Sequence, residues 1–429
     1  MRTIIFLVLL IPFMGLSQWE QIGQDIVGEV NSGIGGSVKL NAQGNVLAVG
    51  SFYETCKCVY IYENINDNWV QKGQTIYTAE DGISEISLNG AGDVLVFDTF
   101  STDSNNLFIY NFNGSEWVTY GDFSNLSFEL GTSGYYPIDV NNSGDIIAFG
   151  LGGSENPGKV YVIKNNNGVW EQLGQTINDY GVGSFVRLSA DGQTLFTTAW
   201  NNSAKVYKLI NGFWEQVGSE ISGSGIEITA ADISADGSTL LIKSTTFNKA
   251  ILRYNENIDD WEETFDLFSP APYGNLNYSG NIFNTGTKVY QNNNGEYIQL
   301  GEGIDMEETG GFMETSINDT GNIVAAGAEL YNENRGLVRV FRYNGDLSID
   351  AVNEPSTITI YPNPSKNIIN FSETVKELTI YDLTGNRVSS HKDLLDQLNI
   401  SYLVDGNYII IGITKAGKRF TSKLIKKQD

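Results

Sequence analysis

Histidine occurs once in the 429 residues, at His391, and cysteine twice, as the C-x-C pair Cys56 and Cys58. Without imidazole, the chain before residue 391 can form neither the histidine-bearing zinc sites nor a Ser-His or Cys-His nucleophile system. A single cysteine pair cannot staple a chain of this length, so a disulfide framework is excluded. On a strand the pair shares one face, which leaves three readings: a local disulfide, two inert thiols, or a copper-like or redox site. Long apolar runs are also missing. The only one, Ile4 to Phe13, is well short of the roughly 20 residues that span a bilayer. Placed after Arg2 and before Gly15 and Ser17, it has the pattern of a secretory signal, 1–17, cleaved before Gln18. No later segment can span, so the mature protein is expected to have no transmembrane helix.

Positive charge is scarce too: 26 Lys and Arg face 51 Asp and Glu, a net charge of −25. The imbalance is local. Residues 357–429 hold ten basic and seven acidic side chains, whereas 18–356 hold 15 against 44. So acidic a body repels phosphate backbones, which excludes nucleic acid as a partner.

Glycine is abundant, at 47, and Tyr, Phe and Trp together make up 12% of the chain. With no helical stripe after residue 17, this is all-β composition. One phrase recurs seven times: LNAQGNVLAV, LNGAGDVLVF, VNNSGDIIAF, LSADGQTLFT, ISADGSTLLI, LNYSGNIFNT and INDTGNIVAA. Each is an apolar residue, a polar turn with glycine and an alternating run, which is a hairpin signature. A third run such as CVYIYE or KVYVIK follows, then a fourth opening at Trp69, Trp117, Trp170, Trp214, Trp261 or Tyr297. Four strands in each of seven periods predict a seven-bladed β-propeller over 18–346. The seventh unit lacks its W-x-Q-x-G strand, while Trp19 to Gly23 supply an orphan one, so the N-terminal strand is expected to close the last blade. The periodic tryptophans are read as packing between blades.

The repeats resemble W-x-Q-x-G and S-x-D-G-x-x-L propeller repeats of secreted bacterial proteins. They lack the D-x-D-x-D-G spacing of integrin-type repeats, so Asp191 and Asp236 are read as turn residues. No cofactor is expected, and calcium is raised only by the charge. Binding is expected in the variable loops between second and third strands. Candidate ligand residues there are Tyr53, Trp200, Asn201, Asn202, Phe247, Tyr331 and Arg335, beside Phe52; an aromatic platform next to amides suits a sugar ring. Catalysis would need two carboxylates facing across a pocket. Asp103, Glu155, Asp305, Glu307, Glu308, Glu314 and Glu333 are available, but no spacing selects a pair, so no catalytic residue is assigned and binding ranks above turnover.

After a polar linker, 347–356, short alternating runs in 357–429 predict a small Ig-like β-sandwich. Tyr361-Pro362-Asn363-Pro364, the stretch from Ile380 to Val388 with Gly385, Gly406-Asn407-Tyr408 and the basic end with Lys426 and Lys427 together resemble the type A C-terminal sorting domain of the type IX secretion system of Bacteroidetes. The resemblance implies the type IX machinery as partner and export through the periplasm to the outer-membrane surface or beyond. The reading is therefore a secreted or cell-surface propeller that binds a carbohydrate or protein ligand. The alternatives are an extracellular glycoside hydrolase or lyase of propeller fold, and a structural or adhesion component.

Overall fold

A computed structural model describes residues 18–53, 56–78, 82–99, 107–122, 126, 137–151, 158–180, 182–198, 203–222, 228–244, 248–268, 274–306, 313–345, 360–382, 387–392, 394–415 and 419–427. The chain divides into two compact units, Met1–Gly345 and Asp346–Asp429. Both are built of antiparallel strands. The expected signal segment and linker lie outside the described residues.

In the first unit the described residues form seven separate sheets, and none of these is closed into a barrel. The first runs Ile34–Leu40, Val46–Ser51, Cys58–Asn64, Trp69–Gln71, each strand pairing with the next. The second to fifth begin with Ile83–Leu88, Ile138–Val140, Phe185–Leu188 and Ile228–Ile233, and the seventh with Met313–Ile317. The outermost strand of the seventh sheet is Trp19–Gln21, paired with Leu337–Tyr343 so that Trp19 faces Tyr343.

Two features depart from the four-run pattern. The sixth sheet has three strands, Ile282–Thr285, Lys288–Asn293 and Glu296–Gln299, with its innermost position reduced to a bridge between Leu276 and Phe283. There the amides of Asn275 and Leu276 donate to the side chains of Asn284 and Asp232. Elsewhere a short link strand is added: Ile26–Val27, Ile76–Tyr77, Ile177–Asp179 and Ile221–Ser222 each pair with the third strand of their sheet.

The turns of the repeated phrase join the sheets into a ring. Ala42 N–H donates to Gly90 O, Gly90 to Asn142, Asn142 to Ala190, Ala190 to Ala235, Ala235 to Tyr278, Tyr278 to Asp319, and Asp319 back to Ala42, at 2.9–3.2 Å. This circuit satisfies turn amides that would otherwise be buried unpaired. Further out, each indole donates to the backbone of the preceding outer strand: Trp69 to Ile22 O, Trp117 to Lys72 O, Trp170 to Tyr120 O, Trp214 to Leu173 O and Trp261 to Val217 O. Trp19 donates to Leu300 O at 2.8 Å, which carries the outer circuit across the chain start.

The same packing explains the glycine of W-x-Q-x-G. A Cβ on Gly121 would lie 2.6 Å from Trp170 Nε1, and its φ is +83°. Only glycine lets the next tryptophan approach so closely.

In the second unit the 15-residue strand Ile368–Asp382 pairs with Ile360–Tyr361, Arg387–His391, Leu395–Asn399 and Gly406–Thr414. Gly406–Thr414 also pairs with Arg419–Lys426, giving one connected set of six strands. Ile369, Val375, Ile380, Ile410 and Leu424 are fully buried there. Among the described residues no helix is long and apolar enough to cross a membrane.

Candidate functional site

Along the axis of the ring, one polar residue per repeat stands just before the apolar residue that leads into the turn: Lys39, Ser87, Asp139, Arg187, Asp232, Asn275 and Ser316. Several bind adjacent sheets together. Ser316 Oγ accepts from Leu40 N–H at 3.0 Å, Asp139 takes the Ser87 hydroxyl and Leu188 N–H, and Asp232 accepts from Leu276 N–H. Arg187 crosses to Glu85 at 2.8 Å with both side chains 13% exposed, and Phe185 lies under its guanidinium at 4.1 Å. Burial would lower the Arg187 pKa, but Glu85, Asp139 and Asp232 outweigh it and hold the charge on. Burial pushes the Asp232 carboxyl upward against Lys39 and Arg187. At the turn end of the axis Lys39, Asp139, Arg187 and Asp232 line a cavity of about 130 Å³. With most of its polar groups occupied by backbone or one another, this end is a seal between sheets.

The opposite end, where the variable loops lie, is different. Glu314, on the inner strand of the seventh sheet opposite Gly327, and Glu329, just beyond Ala328, have no hydrogen-bond or ion-pair partner among the described residues. Burial pushes Glu314 up to about 8, helped by Glu85 and Glu329 and opposed by Arg187 and Lys39. Burial also raises Glu329. Loss of hydration with no compensating hydrogen bond disfavours a carboxylate, and a like charge adds to it. At neutral pH Glu314 is therefore a carboxylic acid, able to donate.

Phe52 and Tyr53 reach the same place from the end of strand Val46–Ser51. Their rings meet edge to face with centroids 5.3 Å apart. The floor beneath is bare backbone: a Cβ on Gly36 would lie 2.7 Å from Glu329 Oε2 and 3.1 Å from Phe52 Cβ, and one on Gly33 would strike the Tyr53 ring at 2.2 Å. The stretch S-G-I-G-G thus carries its glycines where two aromatic rings and a carboxylate close in. The Tyr53 hydroxyl is raised by burial and by Glu329.

Tyr331 and Arg335 join this seam through the segment 28–34. Residues Asn332, Glu333 and Asn334 are all left-handed, with φ of 44°, 59° and 55°. The helix expected nowhere in the body is here a single turn of that unusual kind, Tyr331–Asn334. It is held by Asn31 N–H to Glu333 O, Gly33 N–H to Asn334 O and the Ser32 hydroxyl to Arg335 O. The Arg335 guanidinium donates to Gly28 O, so it supports the seam. Tyr53, Tyr331 and Arg335 are therefore brought together, whereas Trp200, Asn201, Asn202 and Phe247 lie outside the described residues. Of the candidate carboxylates, Glu314 enters the site and Glu333 is exposed on the turn; Asp103, Glu155, Glu307 and Glu308 are outside the described residues. Glu329 and the axial polar set went unread in the sequence. Their signal is there: K-L-N, S-L-N, D-V-N, R-L-S, D-I-S, N-L-N and S-I-N vary in chemistry at one fixed register while the neighbours stay apolar.

Cys56 and Cys58 form a disulfide beside this loop, with Cys56 Sγ 3.3 Å from the Tyr60 hydroxyl. No three His, Cys, Asp or Glu side chains are grouped as metal ligands among the described residues.

In the second unit Asn363 ties the Tyr-Pro-Asn-Pro stretch to the last strand. It donates to Lys423 O at 2.6 Å and accepts from Ile425 N–H at 2.8 Å. Tyr361, Pro362 and Pro364 are exposed around it, with Tyr361 O accepting from Asn370. Gly406 pairs with Lys426, which is fully buried, while Lys427 is exposed. Gly385 lies outside the described residues. Motifs some 60 residues apart in sequence thus meet at one sheet edge. Residues 359–427 match the family model of the secretion system C-terminal sorting domain. The tail marks the chain for type IX export to the cell surface or extracellular space and implies contact with that machinery. No curated protein matches the chain.

Proposed function

We propose that residues 18–346 form a seven-bladed β-propeller of the secreted bacterial repeat type, linked through 347–356 to the sorting domain at 357–429. In this reading the exported protein is a binding protein that takes a carbohydrate or protein ligand on the loop face of the ring. The closed backbone circuit of seven turns supports the blade count. The convergence of Phe52, Tyr53 and Glu329 over Gly33 and Gly36 carries the binding reading: a half-buried acid with no hydrogen-bond or ion-pair partner among the described residues is costly to keep. Trp200, Asn201, Asn202 and Phe247 belong to the same reading as candidate ligand residues, alongside Tyr53, Tyr331 and Arg335.

A second reading, glycoside hydrolysis or lyase chemistry, draws on one observation. Glu314 holds its proton near neutrality, as a general acid in such reactions must, and Glu329 is a second carboxyl in its electrostatic reach. Binding of the exported protein to soluble and insoluble polysaccharides, with reducing-end release followed in the same samples, separates the two. Saturable binding without release supports the binding protein; release that disappears in Glu314→Gln supports the enzyme; neither, on any glycan or protein tested, defeats both.

A further inference from the structure

Cys56 and Cys58 close a ring of only three residues. A crosslink restricts the unfolded chain through the loop it closes, so one this short adds little to stability. It also carries a conformational cost. Lys57, between the two cysteines, stands at φ +51°, a left-handed conformation that a residue with a Cβ disfavours. The two sulfurs differ in access. Cys58 is fully buried on its strand, paired with Tyr77 and followed by Val59 against Gly50, whereas Cys56 is half-buried on the turn before it. Cys56 Sγ also has a polar neighbour, the Tyr60 hydroxyl at 3.3 Å. A disulfide sulfur has no hydrogen, so the hydroxyl donates. Burial, then Tyr77 and Glu29, raise the Tyr60 pKa and keep that proton in place.

We propose that the Cys56–Cys58 bond is a thiol–disulfide exchange site, which takes an external thiol as its substrate and is attacked at Cys56. The incoming thiolate forms a new S–S bond to Cys56 Sγ; the Cys56–Cys58 bond breaks, and its electron pair leaves on Cys58 Sγ, which takes up the proton the thiol gave up. A second thiolate then attacks the substrate sulfur of the mixed disulfide, and Cys56 departs as a thiolate and is protonated in turn. The chain has gained two electrons and two protons, and two substrate thiols have become one disulfide. A hydrogen bond to a thiolate is stronger than one to a disulfide sulfur, so the Tyr60 hydroxyl favours this second departure. The scaffold keeps the pair in reach for the reverse reaction. Lys57 O accepts from Thr78 N–H at 2.9 Å and from the Thr78 hydroxyl at 3.2 Å, and Cys58 sits in the ladder opposite Tyr77. Neither contact involves a sulfur, so reduction leaves both. None of this requires a ligand on the loop face.

The test is to equilibrate the full exported chain with graded ratios of reduced and oxidised glutathione, and in a parallel series with a two-cysteine peptide, then to alkylate and weigh the fragment that carries Cys56 and Cys58. Tryptophan fluorescence of the same samples reports whether the ring stays folded. We expect the bond to open and close with the ratio while the fluorescence is unchanged. Oxidised glutathione should leave an adduct on Cys56 in Cys58→Ser and none on Cys58 in Cys56→Ser. In the Cys58→Ser background, Tyr60→Phe should slow release of that adduct by added glutathione about tenfold, the worth of one hydrogen bond to a charged group, with the thermal melt unchanged. Exchange with the peptide alone would support protein thiols as the substrate, and exchange with glutathione alone small ones. A bond that stays closed at every ratio in both series, or opens only where the fluorescence reports an unfolded ring, would make the pair a structural staple and overturn the proposal. An adduct on Cys58, or release unchanged by Tyr60→Phe, would overturn the roles given to Cys56 and Tyr60.

Discussion

The two ends of the ring use the same seven repeats in opposite ways. At the turn end every repeat does one job: a side-chain cap on the inner strand, a glycine turn, and one link in a backbone circuit that returns to its start. At the loop end the repeats differ. One seam, between the first and seventh sheets, gathers an aromatic pair, two acids without a hydrogen-bond partner among the described residues, and a left-handed turn. Repetition is under pressure where every sheet must fit its neighbour, and variation collects where nothing but a ligand would contact the chain. A periodic residue in this protein is therefore evidence of packing, and a break in the period is where function should be sought.

The sharpest way to break that comparison is to damage a regular position and an irregular one and compare stability. Trp170 is fully buried, packs on Gly121 and donates to Tyr120 O. Trp170→Ala should cost about 3–5 kcal/mol, as large-to-small core changes do. All seven tryptophans lie in the first unit, so urea unfolding followed by their fluorescence reports the ring alone. A loss under about 1 kcal/mol would mean that the indole latch is decorative.

Glu314 should behave in the opposite sense. Its folded pKa of about 8 lies above the ordinary value of 4.5. Below 4.5 both folded and unfolded chains hold the proton and the residue costs nothing. Between 4.5 and 8 only the folded state keeps it, so stability falls as pH rises, by roughly 1.4 kcal/mol per unit at most, and the full penalty stands above 8. Glu314→Gln should flatten this slope and gain on the order of a few kcal/mol at pH 9 while gaining little at pH 4. Parallel pH profiles for both proteins would mean that the carboxyl has found a counter-charge.

The strands and their order were legible because hairpin alternation and the glycine turn repeat, and the orphan Trp19 strand pointed to the last sheet because its motif was missing there. The link strands, such as Ile76–Tyr77, were not legible: two residues carry no periodicity. The sixth inner strand failed for another reason, since Asn275 and Leu276 satisfy their amides with the side chains of Asn284 and Asp232, a tertiary choice that local pattern does not encode. Of the site, Tyr53, Tyr331 and Arg335 stood out as breaks in polar loops. Glu329 did not, because a single acid in a chain with 51 acidic residues carries no signal until its neighbours are placed. In the tail, by contrast, the Tyr-Pro-Asn-Pro stretch and the basic end were readable directly, and Asn363 shows why they travel together.

Among the regular positions a smaller effect is expected at the turn caps. Asn141 is buried and its side-chain oxygen accepts from both Asp145 and Ile146 N–H. Asn141→Ala would leave those amides without it and should cost about 1–2 kcal/mol, with the same cost at the equivalent Asn89. Unequal costs at these two sites would break the claim that the turn end is uniform.

The smallest effect sits where the outer circuit itself has a gap. Tyr297 stands in the register that holds tryptophan in the neighbouring sheets, and its hydroxyl is buried with no hydrogen-bond partner among the described residues. Its ring is well used, with centroids 4.5 Å from Phe265 and 5.3 Å from Phe283. Tyr297→Phe would keep those contacts and delete the orphan oxygen. Because a buried hydroxyl loses its water without replacement, removing it should stabilise the ring by up to about 1 kcal/mol, read as a rise in the urea midpoint with an unchanged slope. A fall in the midpoint would show that the hydroxyl bonds to a partner or water, and that the circuit of outer latches is complete after all.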